Sequence, residues 1–179
     1  MITLELPSQK SQTAANLRRW EELLADKDLA KVEGRIETDR YGRIIMCSLP
    51  DPSHGSLQGE IGHQLRTLLP RGRVISECPI STADGVKAAD VAWASPERME
   101  KLRGQACFST APEICVEVMS PGNSEREMQE KAQLYFDAGA KEVWLCNQEG
   151  EMRFLSREPG KPSRSSKLCP SFPKRVVLN

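Results

Sequence analysis

The stretch Ala111–Asn147, APEICVEVMSPGNSEREMQEKAQLYFDAGAKEVWLCN, carries an α/β pattern in 37 residues. After Pro112, the run Ile114–Met119 is short and almost wholly apolar, which reads as a buried strand. Ser120-Pro121-Gly122-Asn123 is a loop. Ser124–Ala138 reads as a helix, because Ser124 and Glu127 have capping-box spacing and Gly139 is placed to end it. Lys141–Asn147 returns as a strand and forms a hairpin with Glu151–Ser156 through Gln148-Glu149-Gly150.

Working outward, Ser53–Leu69 predicts a second helix, with His54, Leu57, Ile61, Leu65 and Leu68 on one stripe. Pro50, Asp51 and Pro52 break the chain before it, and Pro70-Arg71-Gly72 ends it. Arg73–Ile80 and Lys87–Ala94 read as strands, and Pro96–Leu102 as a short helix. Nearer the N-terminus, Arg35–Thr38 and Arg43–Cys47 read as two strands joined by the turn Asp39-Arg40-Tyr41-Gly42. Residues 12–27 form an amphipathic helix with Leu17, Trp20, Leu23 and Leu24 on one face. The expected organisation is a single domain over 1–179, with an N-terminal helical extension over 1–30. The tail over 159–179 is expected to be mostly irregular, with Val176–Leu178 pairing at a sheet edge.

A chain of 179 residues suits one domain and can bury a core without disulfides or a structural metal. Hydrophobic residues are 39% and charged residues 28%, which excludes a disordered chain. No apolar run approaches the roughly 20 residues needed to cross a bilayer, so no membrane association is expected. The first twelve residues lack a basic region followed by an apolar stretch, which predicts no signal peptide. None of the six cysteines forms a CxxC pair, and most sit in apolar stretches, which predicts a reducing, cytoplasmic setting. Two histidines are too few to suggest zinc. Lys+Arg and Asp+Glu both number 25, so any contact with nucleic acid needs a local patch. Arg71 with Arg73, and Lys161, Arg164, Lys167, Lys174 and Arg175, are the candidates, set against their plainer role as solvated surface.

Three charged residues break their local patterns. Glu117 interrupts the apolar strand ICVEVM, and Asp90 interrupts AADVAWA. A carboxylate there costs several kcal/mol unless it is paired, protonated or bound to a cation. If the two strands are neighbours, the carboxylates converge, and the pair calls for a metal or a shared proton. Lys131 is the third. On an ideal helix Met128, Leu134, Tyr135 and Ala138 all lie within about 60° of it, so it is centred on the inward face. It then either pairs with Glu127 in the favourable spacing of four or points at Asp90 and Glu117. Hard carboxylates that bind Mg²⁺ or Mn²⁺ beside an ammonium suit phosphodiester cleavage. No GxSxG elbow, GxxxxGK[ST] loop, GxGxxG turn or HExxH motif offers another chemistry.

Residues Arg35–Leu65, Lys87–Trp93, Ala111–Asn147 and the tail after Ser163 together resemble the Uma family of proposed restriction endonucleases, a branch of the PD-(D/E)xK nuclease superfamily. Glu117, Ser120-Pro121, Glu127, Lys131, Tyr135 and Gly139 carry the resemblance in order. It implies a restriction-endonuclease-like core, a mixed β-sheet flanked by helices. It implies a catalytic set of Asp90, Glu117, Lys131 and Glu37, with Asp90 and Glu117 as ligands of Mg²⁺ or Mn²⁺. From the residues alone, Glu37 reads as an ordinary strand or surface residue. His54, Glu127 and Tyr135 are implied to lie near the site, although His54 also reads as a satisfied helix-start histidine. Two positions depart from the superfamily pattern. Ala89 stands where a proline usually precedes the acidic residue. Met119 stands where the strand lysine belongs, and Lys131 on the following helix takes its place. The expected activity is metal-dependent endonucleolytic hydrolysis of DNA by a homodimer. The alternative is a degenerate nuclease fold serving as a binding or assembly module, which the neutral charge and 5% aromatic content favour.

Overall fold

The structure is a computed structural model that describes residues 8–47, 51–157 and 163–178. Pro50, Lys161 and the ends of the chain lie outside these residues. Five strands form the main sheet in the order β3 (Arg73–Thr82), β4 (Gly85–Ala94), β5 (Ile114–Val118), β6 (Glu142–Cys146) and β7 (Met152–Ser156). β5 and β6 run parallel, and the other neighbours are antiparallel. β1 (Ile36–Thr38) and β2 (Ile44–Met46) form a separate antiparallel hairpin, with Glu37 opposite Ile45. The architecture is a mixed sheet flanked by helices, as the sequence predicts.

Alternation along the central strands divides the core between the two faces. Cys115, Val143 and Leu145 pack with Met128, Ala132, Tyr135 and Phe136 of α4 (Glu125–Asp137). Ile114, Val116, Trp144 and Cys146 pack with Leu57, Ile61 and Leu65 of α2 (Pro52–Leu68) and with Cys169, Phe172 and Val176 of the tail. All six cysteines are free, and five are buried. Among the described residues, no helix is long and apolar enough to cross a membrane.

The helix boundaries follow local chemistry. The Asp51 side chain accepts from the His54 amide at the start of α2. α4 opens with the Ser124–Glu127 capping box and closes through Gly139 at φ 106°, where the Ala140 amide reaches back to the Tyr135 carbonyl. α3 (Pro96–Leu102) is capped by Ser95.

Three expectations change. On α1 (Gln9–Ala25) the buried residues are Gln12, Asn16, Trp20 and Leu23, whereas Leu24 is exposed. Asn16 tolerates burial because its amide donates to Ser81 Oγ and to the Thr82 and Gly85 carbonyls, and Gln12 donates to the Arg40 carbonyl. Leu68, at the end of α2, is exposed. The tail pairs only at the start of Val176–Leu178, where the Val176 amide donates to the Gly150 carbonyl. It bridges at Ser163 to Phe154 and at Arg175 to Glu151, while Val176 sinks into the core and Val177 is exposed. Buried Glu142 anchors this tail by accepting from Ser166 Oγ at 2.6 Å and from the Lys167 and Leu168 amides at 2.7 and 3.0 Å.

Candidate active site

β4 and β5 pair at Trp93–Ile114, Ala92–Cys115 and Val91–Val116, and then part. Beyond that point β4 stays with β3, and β5 stays with β6. Asp90 and Glu117 are the next residues on the two strands, so both carboxylates stand at the fork. This answers the requirement that the two strands be neighbours.

Asp90 fills the opening. Its Oδ2 accepts the Val118 amide at 2.7 Å, and His54 Nε2 lies 3.6 Å from the same oxygen. Its Oδ1 meets Arg35 Nη1 at 2.5 Å. Burial pushes the Asp90 pKa up, but His54, Arg35 and the Val118 amide outweigh it and hold the carboxyl below its ordinary value. His54 is raised in turn by the nearness of Asp90, and its Nδ1 is 3.2 Å from Ser120 Oγ.

Glu117 has the opposite balance. Tyr135 Oη donates to Oε1 at 2.7 Å and Lys131 Nζ to Oε2 at 3.0 Å. Even so, burial dominates and lifts its pKa to about 7, with Asp90 and Glu37 adding to the rise. Tyr135 is itself buried, and its hydroxyl is pushed well above the usual phenol value.

Lys131 projects inward from α4 and lies 3.0 Å from both Glu117 Oε2 and Glu37 Oε1. Burial works against its charge, but the two carboxylates prevail and hold it as an ammonium. It does not pair with Glu127, whose carboxylate accepts from the Ser124 amide and hydroxyl at the exposed helix start, on the rim of the cleft. The lysine's second partner is therefore Glu37 rather than Asp90.

Glu37 arrives from the separate hairpin. β1 lies along β4 through side chains: Glu37 Oε1 accepts the Ala88 amide at 3.0 Å, and Thr38 Oγ1 accepts the Val86 amide at 2.9 Å. Lys87 Nζ closes the same seam on the Thr38 carbonyl at 3.0 Å.

The sequence reasoning missed Arg35. It sits just before β1 and bridges Asp90 to Glu77, whose Oε2 is 2.8 Å from the same Nη1. Glu77 has φ 49°, and it is the only non-glycine with positive φ among the described residues. Gln58 Nε2 holds it at 2.8 Å and also donates to the Asp90 carbonyl at 2.9 Å. At this level the two-residue alternation of β3 skips a residue, since Ile75, Cys78 and Ile80 all pack on one side.

These groups line a cleft of about 1110 Å³. Inside it stand Glu37, Asp90 and Glu117, with Asp51, Glu77, Glu127 and Glu130 toward its rim. Among the described residues of its lining, Arg35, Lys87 and Lys131, with His54, oppose these seven carboxylates.

Residues 20–172 match the model of the Uma2 family, described as "Putative restriction endonuclease". The chain belongs to the Uma2 family. A crystal structure described as that of "a putative nuclease belonging to DUF820" from Anabaena variabilis ATCC 29413 shares the fold. Its TM-score is 0.65 at 18% identity, covering 80% of this chain and 82% of that one. No curated protein matches the sequence. The Uma2 match spans every residue of the cleft named above, from Arg35 to Lys131.

Proposed function

We propose that this Uma2 protein is an endonuclease that hydrolyses phosphodiester bonds in DNA, with Mg²⁺ or Mn²⁺ held by Asp90 and Glu117. The observation that carries the proposal is the fork between β4 and β5. It sets two carboxylates on adjacent strands, with a lysine ammonium fixed between Glu117 and Glu37.

The donor set fits a hard divalent cation. Both candidate ligands offer oxygen, and the cleft's excess of carboxylates would repel a polyanion unless cations offset it. Among the described residues no group of three or more His, Cys, Asp or Glu has metal-holding geometry. Mg²⁺ is commonly held by one or two carboxylates, with water and substrate phosphate completing its shell, and Asp90 and Glu117 would be the two here. Such an ion polarises the phosphate and lowers the pKa of a nearby water.

The chain's own residues supply positioning and charge. Tyr135 fixes one oxygen of Glu117, and the Val118 amide and His54 fix one oxygen of Asp90. Lys131, an ammonium held by two carboxylates, orients the attacking water and offsets charge that builds on phosphorus. Glu37 keeps that ammonium in place. Two strands of a duplex are cut most simply by a two-fold pair of subunits, so the proposal includes a homodimer. The six free cysteines support a cytoplasmic setting.

One observation favours the second reading, a nuclease fold kept as a binding module. Every oxygen of Asp90 and Glu117 already meets a donor or cation of the chain. Incubation of supercoiled plasmid with the purified protein and Mn²⁺ decides between the two. Nicking or cutting that disappears in Asp90→Ala and in Glu117→Ala is the expected result. Cleavage by both variants at the parent rate points to a contaminant and removes the enzymatic reading.

A further inference from the structure

We infer that Arg35 is a resident counter-cation of Asp90, and that its guanidinium swings to Glu77 and the substrate phosphate when a divalent cation takes the Asp90 carboxylate. This rests on the metal site proposed above.

Asp90 Oδ2 is committed to the Val118 amide, so Oδ1 is the oxygen a metal needs. Arg35 Nη1 now holds that oxygen at 2.5 Å. A guanidinium and a divalent cation on the same carboxylate oxygen repel each other, and an arginine cannot relieve the conflict by losing its proton. It has to move, and a destination is already built. Glu77 Oε2 is 2.8 Å from the same nitrogen, so the side chain can release Asp90 without giving up its ion pair. Gln58 holds the other oxygen of Glu77, so Glu77 stays aimed at Arg35.

Two further observations support this role for Glu77. Its φ of 49° is costly for a residue with a side chain, and such conformations persist where the surroundings impose them. Glu77 is also the outer member of the pair. Its side chain is 43% exposed against 1% for Asp90, and Arg35 at 25% lies between them. Moving from Asp90 to Glu77 therefore carries the guanidinium toward the mouth of the cleft. There its planar fork matches two phosphate oxygens. In the metal-free protein the same arginine keeps a buried carboxylate paired, which otherwise destabilises the fold.

Titration of the full-length protein with Mn²⁺ in a calorimeter tests the assignment without reference to cleavage. Arg35→Gln is expected to bind Mn²⁺ roughly tenfold tighter than the parent, the scale of effect expected from a group that contacts a metal ligand. Glu77→Gln is expected to bind it severalfold more weakly, because Arg35 then rests on Asp90 alone. Combined with Arg35→Gln, the Glu77→Gln change should lose most of its effect. In Ca²⁺, Arg35→Gln should also bind a short DNA duplex more weakly than the parent. Should Arg35→Gln not fold, Arg35→Met gives the same comparison, since it removes the charge that one nitrogen shares between Asp90 and Glu77 and keeps an apolar stem in its place. Mn²⁺ binding no tighter than the parent in the Arg35 variant overturns the inference. So does an equal Glu77→Gln effect in both backgrounds, which would mean that Glu77 acts through its own charge. Failure of the parent to cut DNA, with the Mn²⁺ shifts present, removes the nuclease reading and leaves the Arg35 assignment standing.

Discussion

Besides Glu37 on the hairpin, three glutamates are buried on or next to the strands of the main sheet, and their partners give them different characters. Glu142 accepts only from neutral donors, namely Trp144 Nε1, Ser166 Oγ and two backbone amides, and it serves to hold the tail. Glu113 accepts from the Ser95 amide and hydroxyl beside Arg98 and fixes the start of α3. Glu117 faces Lys131, Tyr135 and two other carboxylates, and burial leaves it near pH 7. Its pKa rises from 4.5 in the unfolded chain to about 7 in the fold, so the folded state binds more protons across that window. Stability contributed by this group therefore falls as pH rises from about 4.5 to 7, by roughly 3 kcal/mol if the whole shift is expressed. His54, also raised, loses its contribution in the same direction as pH climbs through its folded value. Urea denaturation across pH 5 to 8 should show Glu117→Gln flattening this slope without abolishing it, and exceeding the parent in stability above pH 7. An unchanged slope would place the titrating group elsewhere. Asp90, Glu117 and Lys131 were legible in the sequence because each interrupts an apolar period. Glu113 and Glu142 show that a buried carboxylate alone is no signal, since its meaning depends on partners that sequence does not place. Arg35 gave no signal, because an arginine at the edge of a three-residue strand looks like any solvated cation. Tyr135 was expected near the site from the family resemblance, and its place four residues after Lys131 on the same inward face agrees with its bond to Glu117.

Among the elements, the β1–β2 hairpin depends most on its neighbours. It forms its own two-stranded sheet, all three residues of β2 are exposed, and it reaches the main sheet through Glu37, Thr38 and Lys87. Its seat includes Gly85, at φ 82°, where an added Cβ would collide with the carbonyl oxygens of Thr38 and Asp39. Gly85→Ala therefore combines backbone strain with a clash against β1. A loss on the order of 2 kcal/mol or more is expected in thermal or urea denaturation, together with weaker plasmid cleavage as Glu37 is pushed from Lys131. Gly59→Ala on α2 is the contrast, because nothing lies within 4 Å of its added Cβ. It should stabilise by up to about 1 kcal/mol and leave cleavage alone. Equal effects of the two changes would show that the contact at Gly85 is unimportant. Helix and strand positions were readable because caps and periods are local. Glu37 was not, since its burial comes from contact with β4, some fifty residues later. The polar stripe of α1 misled for the same reason: Asn16 is buried because acceptors of β3 and β4 receive it, and Gln12 because the Arg40 carbonyl between β1 and β2 does.

For the whole molecule, charge is the quantity that sequence conceals. The 25 basic and 25 acidic residues cancel, yet they are not evenly spread. The cleft gathers seven carboxylates and three cations. Arg164, Lys167, Lys174 and Arg175 lie on the tail, which packs on the α2 side of the sheet through Cys169, Phe172 and Val176, whereas Lys131 and Glu117 meet on the α4 side. The strand order that creates the fork was also beyond the sequence, because it requires pairing between residues 85–94 and 114–118. Together these placements make a prediction about binding rather than catalysis. A cleft with this charge should hold duplex DNA weakly in EDTA, with a Kd at or above about 1 μM near physiological salt, the range of non-specific contacts. Millimolar Ca²⁺ should tighten binding by about tenfold or more, as ions neutralise Asp90 and Glu117 and let a phosphate approach. Asp90→Asn should lose most of that gain in a fluorescence-anisotropy titration. Tight binding in EDTA with a steep salt dependence would mean that basic surface outside the cleft captures the DNA. Charge reversal at Lys167 and Lys174 would then abolish it, and the carboxylate fork would no longer be where the nucleic acid first engages.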